Sequence, residues 1–128
     1  MLELQSSITR ENLRVLMTSF YTKAINDDLL GFYFVHELGD DITSEEWIDH
    51  VELLADFWLA KILGEDTYYG NFVGAHVKMP LIKKESFARW LDLFSQTADE
   101  VYSPEVAAVF KKKAIEFVKE FFTSKKKI

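Results

Sequence analysis

Two histidines with aromatic neighbours are the side chains in this sequence best suited to chemistry. His50 belongs to a stretch from Trp47 to Ile62 whose apolar residues recur at three- and four-residue intervals, so it points with them toward the protein interior. His76 follows a glycine-punctuated connection, on a short predicted helix that ends before Pro80. An imidazole can bind a metal, move a proton or make a structural hydrogen bond. Each histidine taken alone is more often a packing or surface residue, so its role depends on what surrounds it.

Several common kinds of site are excluded by spacing and composition. None of the three histidines follows a glutamate by three residues, as di-iron helical bundles require, and the His-Glu-x-x-His of zincins is absent. The chain has no cysteine, which excludes disulfides, thiolate ligands and covalent haem attachment through Cys-x-x-Cys-His. It also contains no Gly-rich phosphate loop and no Gly-x-Ser-x-Gly turn.

Non-covalently bound haem fits the remaining side chains, because it needs one axial nitrogen, a flat apolar slot and a few polar groups on its open side. His76 can supply the nitrogen, and Tyr21, His50 and Trp90 are polar groups that would face the cavity. The walls would come from Phe34, Leu54, Phe57, Trp58, Phe87 and Phe94. The alternative is a helical protein without haem, in which all these rings belong to the core. The residues alone leave both interpretations open.

Helical periodicity places these residues on four long amphipathic segments. They run from Thr9 to Asn26, from Thr43 to Gly64, from Lys84 to Tyr102, and from Ser103 toward the C-terminus. A shorter apolar segment, 29–36, is too brief for periodicity to decide between helix and strand. The sequence contains no convincing strand and no internal repeat, so it predicts an all-α fold of five or six helices.

Local residue choices predict where these helices begin and end. The Thr43 hydroxyl and the Glu46 carboxylate can form a capping box at the start of the second long helix, and Gly64 can end it in the left-handed conformation. Pro104 can occupy the first position of the last helix. The stripe that this last helix should bury comprises Val106, Val109, Phe110, Ala114, Phe117 and Phe121.

Length and charge predict the organisation and location of the protein. A chain of 128 residues is long enough for one hydrophobic core, which predicts a single domain over residues 1–128. The formal net charge of -6 disfavours nucleic acid as a partner. No apolar run approaches the roughly 18 to 20 residues that cross a bilayer, and the N-terminus lacks the pattern of a signal peptide. We therefore expect a cytoplasmic monomer with no nucleic-acid or membrane partner.

A set of short motifs distributed along the chain resembles a known family. The motifs are Trp47-x-x-His50, Phe57-Trp58, Leu63-Gly64, Tyr69-Gly70-Asn71 followed by His76, then Pro80 and Trp90-Leu91. Together they are similar to the third group of truncated haemoglobins, which are short globins built as a two-over-two helical sandwich. The similarity extends from about Leu13 to Val101, and the lack of the Gly-Gly pairs of the other truncated groups agrees with the third. Phe72 departs from the pattern, because relatives often have proline there.

The resemblance implies haem b as the cofactor, with His76 as the proximal ligand of the iron. It implies a distal side formed by Tyr21, His50, Trp90 and the apolar Leu54, with Phe34 packed on the haem. Lys78 and Arg89 are the basic residues considered for the haem propionates.

The polar distal residues favour a particular use of the ligand. Bound dioxygen carries partial negative charge, so the Tyr21 hydroxyl and the Trp90 indole N–H should stabilise it in a cavity of low dielectric constant. Such bonds contribute about 1.5 to 3 kcal/mol each, and about 1.4 kcal/mol is tenfold in affinity, so release should be slow. A slow-releasing protein is a poor carrier.

The leading hypothesis is therefore a haem protein that binds dioxygen, nitric oxide and other diatomic ligands for redox detoxification. It would act as a nitric oxide dioxygenase or a peroxidase-like enzyme served by a reductase. The alternative is a gas store or sensor without turnover. A further alternative is that His50 itself closes the sixth coordination position of the iron.

Overall fold

The computed structural model describes residues 3–66 and 84–127, and every regular element within these ranges is helical. The helices are α1 (Arg10–Ile25), α2 (Gly31–Leu38), α3 (Glu45–Leu63), α4 (Lys84–Val101) and α5 (Pro104–Lys127). Among the described residues, β-structure is limited to one isolated bridge between Gln5 and Tyr102. The predicted all-α fold is thus confirmed, and the short apolar segment whose type was left open forms α2.

The start of α1 follows from a reciprocal cap between Thr9 and Asn12. The Thr9 hydroxyl accepts a hydrogen bond from the Asn12 amide at 3.1 Å, and Asn12 Oδ1 accepts one from the Thr9 amide at 2.9 Å. These bonds satisfy amides that the first helical turn leaves unpaired. Asn12 is buried, and its Oδ1 also accepts a bond from the Tyr102 hydroxyl at 2.6 Å. The N-terminus of α1 is therefore joined to the corner between α4 and α5.

The start of α3 differs from the predicted capping box. The N-cap is Ser44, whose hydroxyl accepts a hydrogen bond from the Trp47 amide at 3.4 Å. Thr43 does not cap the helix, because its hydroxyl donates to Asp41 Oδ1 at 2.6 Å within the preceding turn. The predicted end at Gly64 is confirmed, since Gly64 is left-handed with φ of 71°.

The core lies where α1 packs between α3 and α4, while α5 packs against α4. The apolar face predicted for α1 is buried, namely Leu13, Leu16, Met17, Phe20, Tyr21 and Ala24. On α5 the predicted stripe is wrong at Val109, which is 40% exposed while Phe110 is fully buried, and the burial of Phe121 lies outside the described side chains. Val109 precedes Phe110 by one residue, which is about 100° around a helix, so the two cannot share a narrow stripe.

Ion pairs on the protein surface join α1 to both neighbours. Arg10 pairs with Glu52 and Asp56 of α3, and Lys23 donates to the Thr97 hydroxyl of α4 at 3.0 Å and pairs with Glu100. These side chains are partly solvated, so each pair stabilises the fold by at most about 1 kcal/mol.

Within the described part of the chain, no helix combines the length and the apolar character needed to cross a membrane.

Candidate functional site

Tyr21 lies at the centre of a group of rings contributed by three helices. Its ring centroid is 5.1 Å from that of Phe34 on α2, and 5.1 Å and 5.4 Å from those of Trp47 and His50 on α3. Trp47 and His50 also contact each other, with centroids 5.6 Å apart. We call these four residues the Tyr21 cluster. The structure thus brings together three of the predicted site residues and adds Trp47.

Helical spacing and one hydrogen bond orient the α3 side of this cluster. Trp47 and His50 are three residues apart, so they lie on the same face of α3. The Trp47 indole N–H donates to the Gly39 carbonyl at 2.8 Å, which joins the buried tryptophan to the end of α2. Trp47 was not among the predicted site residues. Its three-residue spacing from His50 could have placed it there.

The Tyr21 hydroxyl is the least expected feature of the cluster. Tyr21 is only 6% exposed, yet its hydroxyl makes no hydrogen bond to any residue in the described ranges. Burial raises the pKa of this phenol, so Tyr21 is neutral and keeps its proton for donation. No fully buried side-chain polar atom of the described residues lacks a hydrogen-bond partner, so the Tyr21 hydroxyl retains some accessible surface, where a bound molecule can accept its hydrogen bond.

A second group of rings surrounds Trp90 on α4. The Trp90 ring is stacked on Phe94 at 5.2 Å with an interplanar angle of 3°, and Phe94 is stacked on Trp58 at 5.3 Å and 9°. We call these three residues the Trp90 stack. Phe20 joins the two groups, with centroids 4.8 Å from Tyr21 and 5.7 Å from Trp90. Trp90 is half-buried, and its indole N–H has no hydrogen-bond acceptor among the described residues.

The predicted wall residues are divided between the site and the core. Phe57 and Trp58 are almost fully buried and contact Phe117 and Phe110 of α5, at 5.1 Å and 5.2 Å between centroids. Their rings therefore also hold α5 against the rest of the protein. The remaining two wall residues, Leu54 of α3 and Phe87 of α4, are buried as well.

The predicted short helix that ends before Pro80 lies outside the described residues, and so do the residues of this region that were considered in the sequence, namely Tyr69, Gly70, Asn71, Phe72, His76 and Lys78. Arg89, the other residue considered for the propionates, is engaged elsewhere. Its Nε donates to Asp27 Oδ1 at 2.7 Å, and its Nη1 donates to Asp92 Oδ2 at 3.1 Å.

Comparison with known proteins settles the family. The group 3 truncated haemoglobin of Campylobacter jejuni is 33% identical to this chain over 108 residues, which are 84% of each protein. The chain belongs to the group III truncated haemoglobins. The crystal structure of the group III truncated haemoglobin from Campylobacter jejuni matches this truncated haemoglobin with a TM-score of 0.84 and 32% identity, over 93% of this chain and 92% of that one. No family model matches the sequence.

Membership of the family confirms the globin fold and assigns haem-based ligand binding to this truncated haemoglobin. The described residues fit a haem with a small ligand. Tyr21 is buried and its hydroxyl has no acceptor among the described residues, and the surrounding rings are apolar apart from His50 and the indole nitrogens. A flat apolar cofactor and a small polar ligand together need such a lining.

Proposed function

We propose that this truncated haemoglobin holds haem b through His76 and uses dioxygen to convert nitric oxide to nitrate in the cytoplasm. The observation that carries the proposal is the neutral hydroxyl of the buried Tyr21 beside His50, which has no acceptor among the described residues. The haem would supply the iron centre at which one dioxygen and one nitric oxide give nitrate, with one electron drawn from ferrous iron and returned by a reductase.

Tyr21 would act by donating a hydrogen bond to the ligand. Because burial raises its pKa, the phenol stays protonated throughout the physiological range. A donor in a cavity of low dielectric constant stabilises a ligand with partial negative charge more than a neutral one. The contribution is about 1.5 to 3 kcal/mol, which is roughly 10- to 150-fold in affinity. Dioxygen would then remain bound long enough to meet a second gas molecule.

His50 would give the same site a group that can move protons. Its ring contacts those of both Tyr21 and Trp47, which restricts its orientation. Peroxide reduction consumes two electrons and two protons and yields two molecules of water. An imidazole can carry a proton from one peroxide oxygen to the other, while the reductase supplies the electrons. Peroxide reduction is therefore the second reaction that we propose to measure.

A gas store without turnover is the alternative that the slow release of ligand would also favour. The enzyme and the gas store are distinguished by supplying the oxygenated protein with a flavin reductase and NADH. Continued consumption of nitric oxide beyond one equivalent supports the enzyme, whereas a single turnover supports the store.

Stopped-flow mixing of the oxygenated protein with nitric oxide tests the proposal most directly. We expect nitrate to form faster in the wild-type protein than in the double variant Tyr21→Phe, Trp90→Leu, because the variant lacks both donors. Tyr102→Phe is the matched control, since that hydroxyl already donates to Asn12. Equal rates in the wild type and the double variant would remove the case for a tuned site.

The ligand role of His76 needs its own experiment. The His76→Gly protein should lose the five-coordinate ferrous absorption spectrum and regain it when imidazole is added. His36→Gly is the control, because His36 is exposed and stacks on Phe32. A His76→Gly protein that keeps the spectrum without imidazole would assign the iron to another ligand.

A further inference from the structure

Asp27 lies at the corner between α1 and α2, and its carboxylate bonds to both sides of that corner. Its side chain is only 7% exposed. Oδ2 accepts hydrogen bonds from the amides of Leu29 and Leu30, at 3.0 Å and 3.1 Å, just before α2 begins. Oδ1 accepts the bond from Arg89 Nε of α4 at 2.7 Å. One carboxylate therefore joins three helices.

Backbone contacts also hold the α1–α2 corner closed. The Gly31 amide donates to the Asp27 carbonyl at 2.9 Å. A Cβ atom at Gly31 would lie 2.6 Å from the Ile25 carbonyl oxygen, so the first turn of α2 touches the last turn of α1. The position of α2 relative to α1 is fixed by backbone contact.

The three helices that meet at Asp27 carry residues of the proposed distal site. Tyr21 lies on α1, Phe34 on α2, and Trp90 directly follows Arg89 on α4. Trp90 itself is held by ring contacts with Phe20 and Phe94. Stacked and edge-on ring pairs are favourable over a range of centroid distances, so ring contacts alone do not define one position. A directional bond near Trp90 can therefore refine where this end of α4 lies, in addition to the core packing of Phe87 and Phe94.

The next polar contact between α1 and α4 is remote from Trp90. Lys23 bonds to Thr97 and Glu100, which are at least seven residues beyond Trp90 and so about two turns along α4. That contact fixes the C-terminal half of the helix. Among the described residues, the polar contact of the N-terminal half with the α1–α2 corner is the one between Arg89 and Asp27.

We propose that Asp27 and Arg89 form a positioning pair, which sets the distance of Trp90 from the Tyr21 cluster and so tunes the electrostatic field at the bound ligand. The proposal rests on the proposed function, because the tuned groups are the distal donors. Arg89 suits the role because its planar guanidinium can bond to Asp27 while it also bonds to the solvent-exposed Asp92 on its own helix.

Asp27→Asn is the most selective variant. The oxygen of the new amide can still accept hydrogen bonds from the backbone amides of Leu29 and Leu30, while the negative charge that attracts Arg89 is lost. The C–O stretching frequency of the carbon monoxide complex reports the field at the ligand. We expect the band to shift or split, and dioxygen to dissociate faster by about three- to tenfold, which is less than loss of a whole donor bond. Arg89→Lys is a second, milder variant that keeps the positive charge but not the planar fork.

Two controls separate positioning from general stability. Asp99→Asn breaks the Lys111–Asp99 pair, which also lies on α4 but faces α5, and should leave the C–O band unchanged. The double variant Asp27→Asn, Arg89→Lys should shift the band no further than Asp27→Asn alone, because both changes act on one contact.

An unchanged C–O band in folded Asp27→Asn and Arg89→Lys proteins would overturn the proposal that Asp27 and Arg89 position Trp90. The outcome is separable from that of the proposed function. If Tyr21→Phe accelerates dioxygen release and Asp27→Asn does not, only the positioning pair is wrong. If Tyr21→Phe has no effect while the Asp27→Asn band moves, the proposed use of dioxygen is wrong and the pair stands.

Discussion

Two buried tyrosines in this protein differ in one hydrogen bond. The Tyr102 hydroxyl donates to Asn12 Oδ1 at 2.6 Å, whereas the Tyr21 hydroxyl has no acceptor among the described residues. Burial raises the pKa of both phenols, so both are neutral donors at physiological pH. We infer that the first hydroxyl contributes to folding and the second to ligand binding.

Tyr102→Phe should therefore lower the free energy of unfolding by about 0.5 to 1.5 kcal/mol, the usual net value of one hydrogen bond. The loss is limited because Asn12 Oδ1 still accepts a hydrogen bond from the Thr9 amide. Urea unfolding measures it, and the rate of dioxygen dissociation should not change. A Tyr102→Phe protein that releases dioxygen faster would show that the two tyrosines are coupled.

The residue types were enough to select the distal candidates but not to show how they are arranged. Tyr21, His50 and Trp90 stood out because each is a polar group on an apolar helical face. Only the packing of α1 against α3 puts Tyr21 in ring contact with His50, while Trp90 reaches Tyr21 through Phe20. Contacts between helices depend on rotation and offset, which a one-dimensional pattern does not contain.

At the scale of elements, periodicity predicted the long helices and missed what joins them. The bounds of α1 and the end of α3 at Gly64 follow from capping residues visible in the sequence. The predicted cap at Thr43 is wrong, because Thr43 and Ser44 can both cap a helix and the local turn, in which the Thr43 hydroxyl donates to Asp41, leaves Ser44 as the cap. The bond from Arg89 to Asp27 spans 62 positions, and nothing in the sequence pairs one arginine with one of 21 acidic residues.

Gly31→Ala should disturb the α1–α2 corner. The new Cβ would lie 2.6 Å from a backbone oxygen that cannot rotate away, so α2 must shift. We expect a loss of about 1 to 3 kcal/mol in urea unfolding, as for other overpacked sites. We also expect a changed C–O band in the carbon monoxide complex, because α2 carries Phe34 against Tyr21.

Gly64→Ala is the matched control for that experiment. A Cβ at Gly64 meets no atom within 4 Å, but its φ of 71° strains any other residue, so stability should fall by about 1 kcal/mol. The C–O band should stay in place. If both variants move the band equally, the shift reports lost stability and not the position of α2.

At the scale of the whole molecule, acid should weaken the protein partly through Asp27. Burial alone would raise the pKa of its carboxyl, but the hydrogen bonds from Arg89, Leu29 and Leu30 outweigh burial and lower the pKa below its ordinary value of 3.8. A lowered folded-state pKa stabilises the fold above the unfolded-state value, and this stabilisation is lost as the pH falls through the folded-state value.

The free energy of unfolding at a series of pH values from about 5 to about 3 checks this contribution, since unfolded aspartate titrates near 3.9. Wild-type protein should lose more stability across that range than Asp27→Asn, which has no proton to take up at this position. Parallel curves for the two proteins would mean that other carboxylates account for the acid sensitivity.

The proposed function depends on the Tyr21 hydroxyl donating its hydrogen bond to the ligand and not to the protein. The dissociation rate of dioxygen from the ferrous protein measures that directly. We predict that Tyr21→Phe releases dioxygen at least about tenfold faster than the wild type, because it loses a bond of about 1.5 to 3 kcal/mol to a partly charged ligand. Equal dissociation rates in the two proteins would contradict the account.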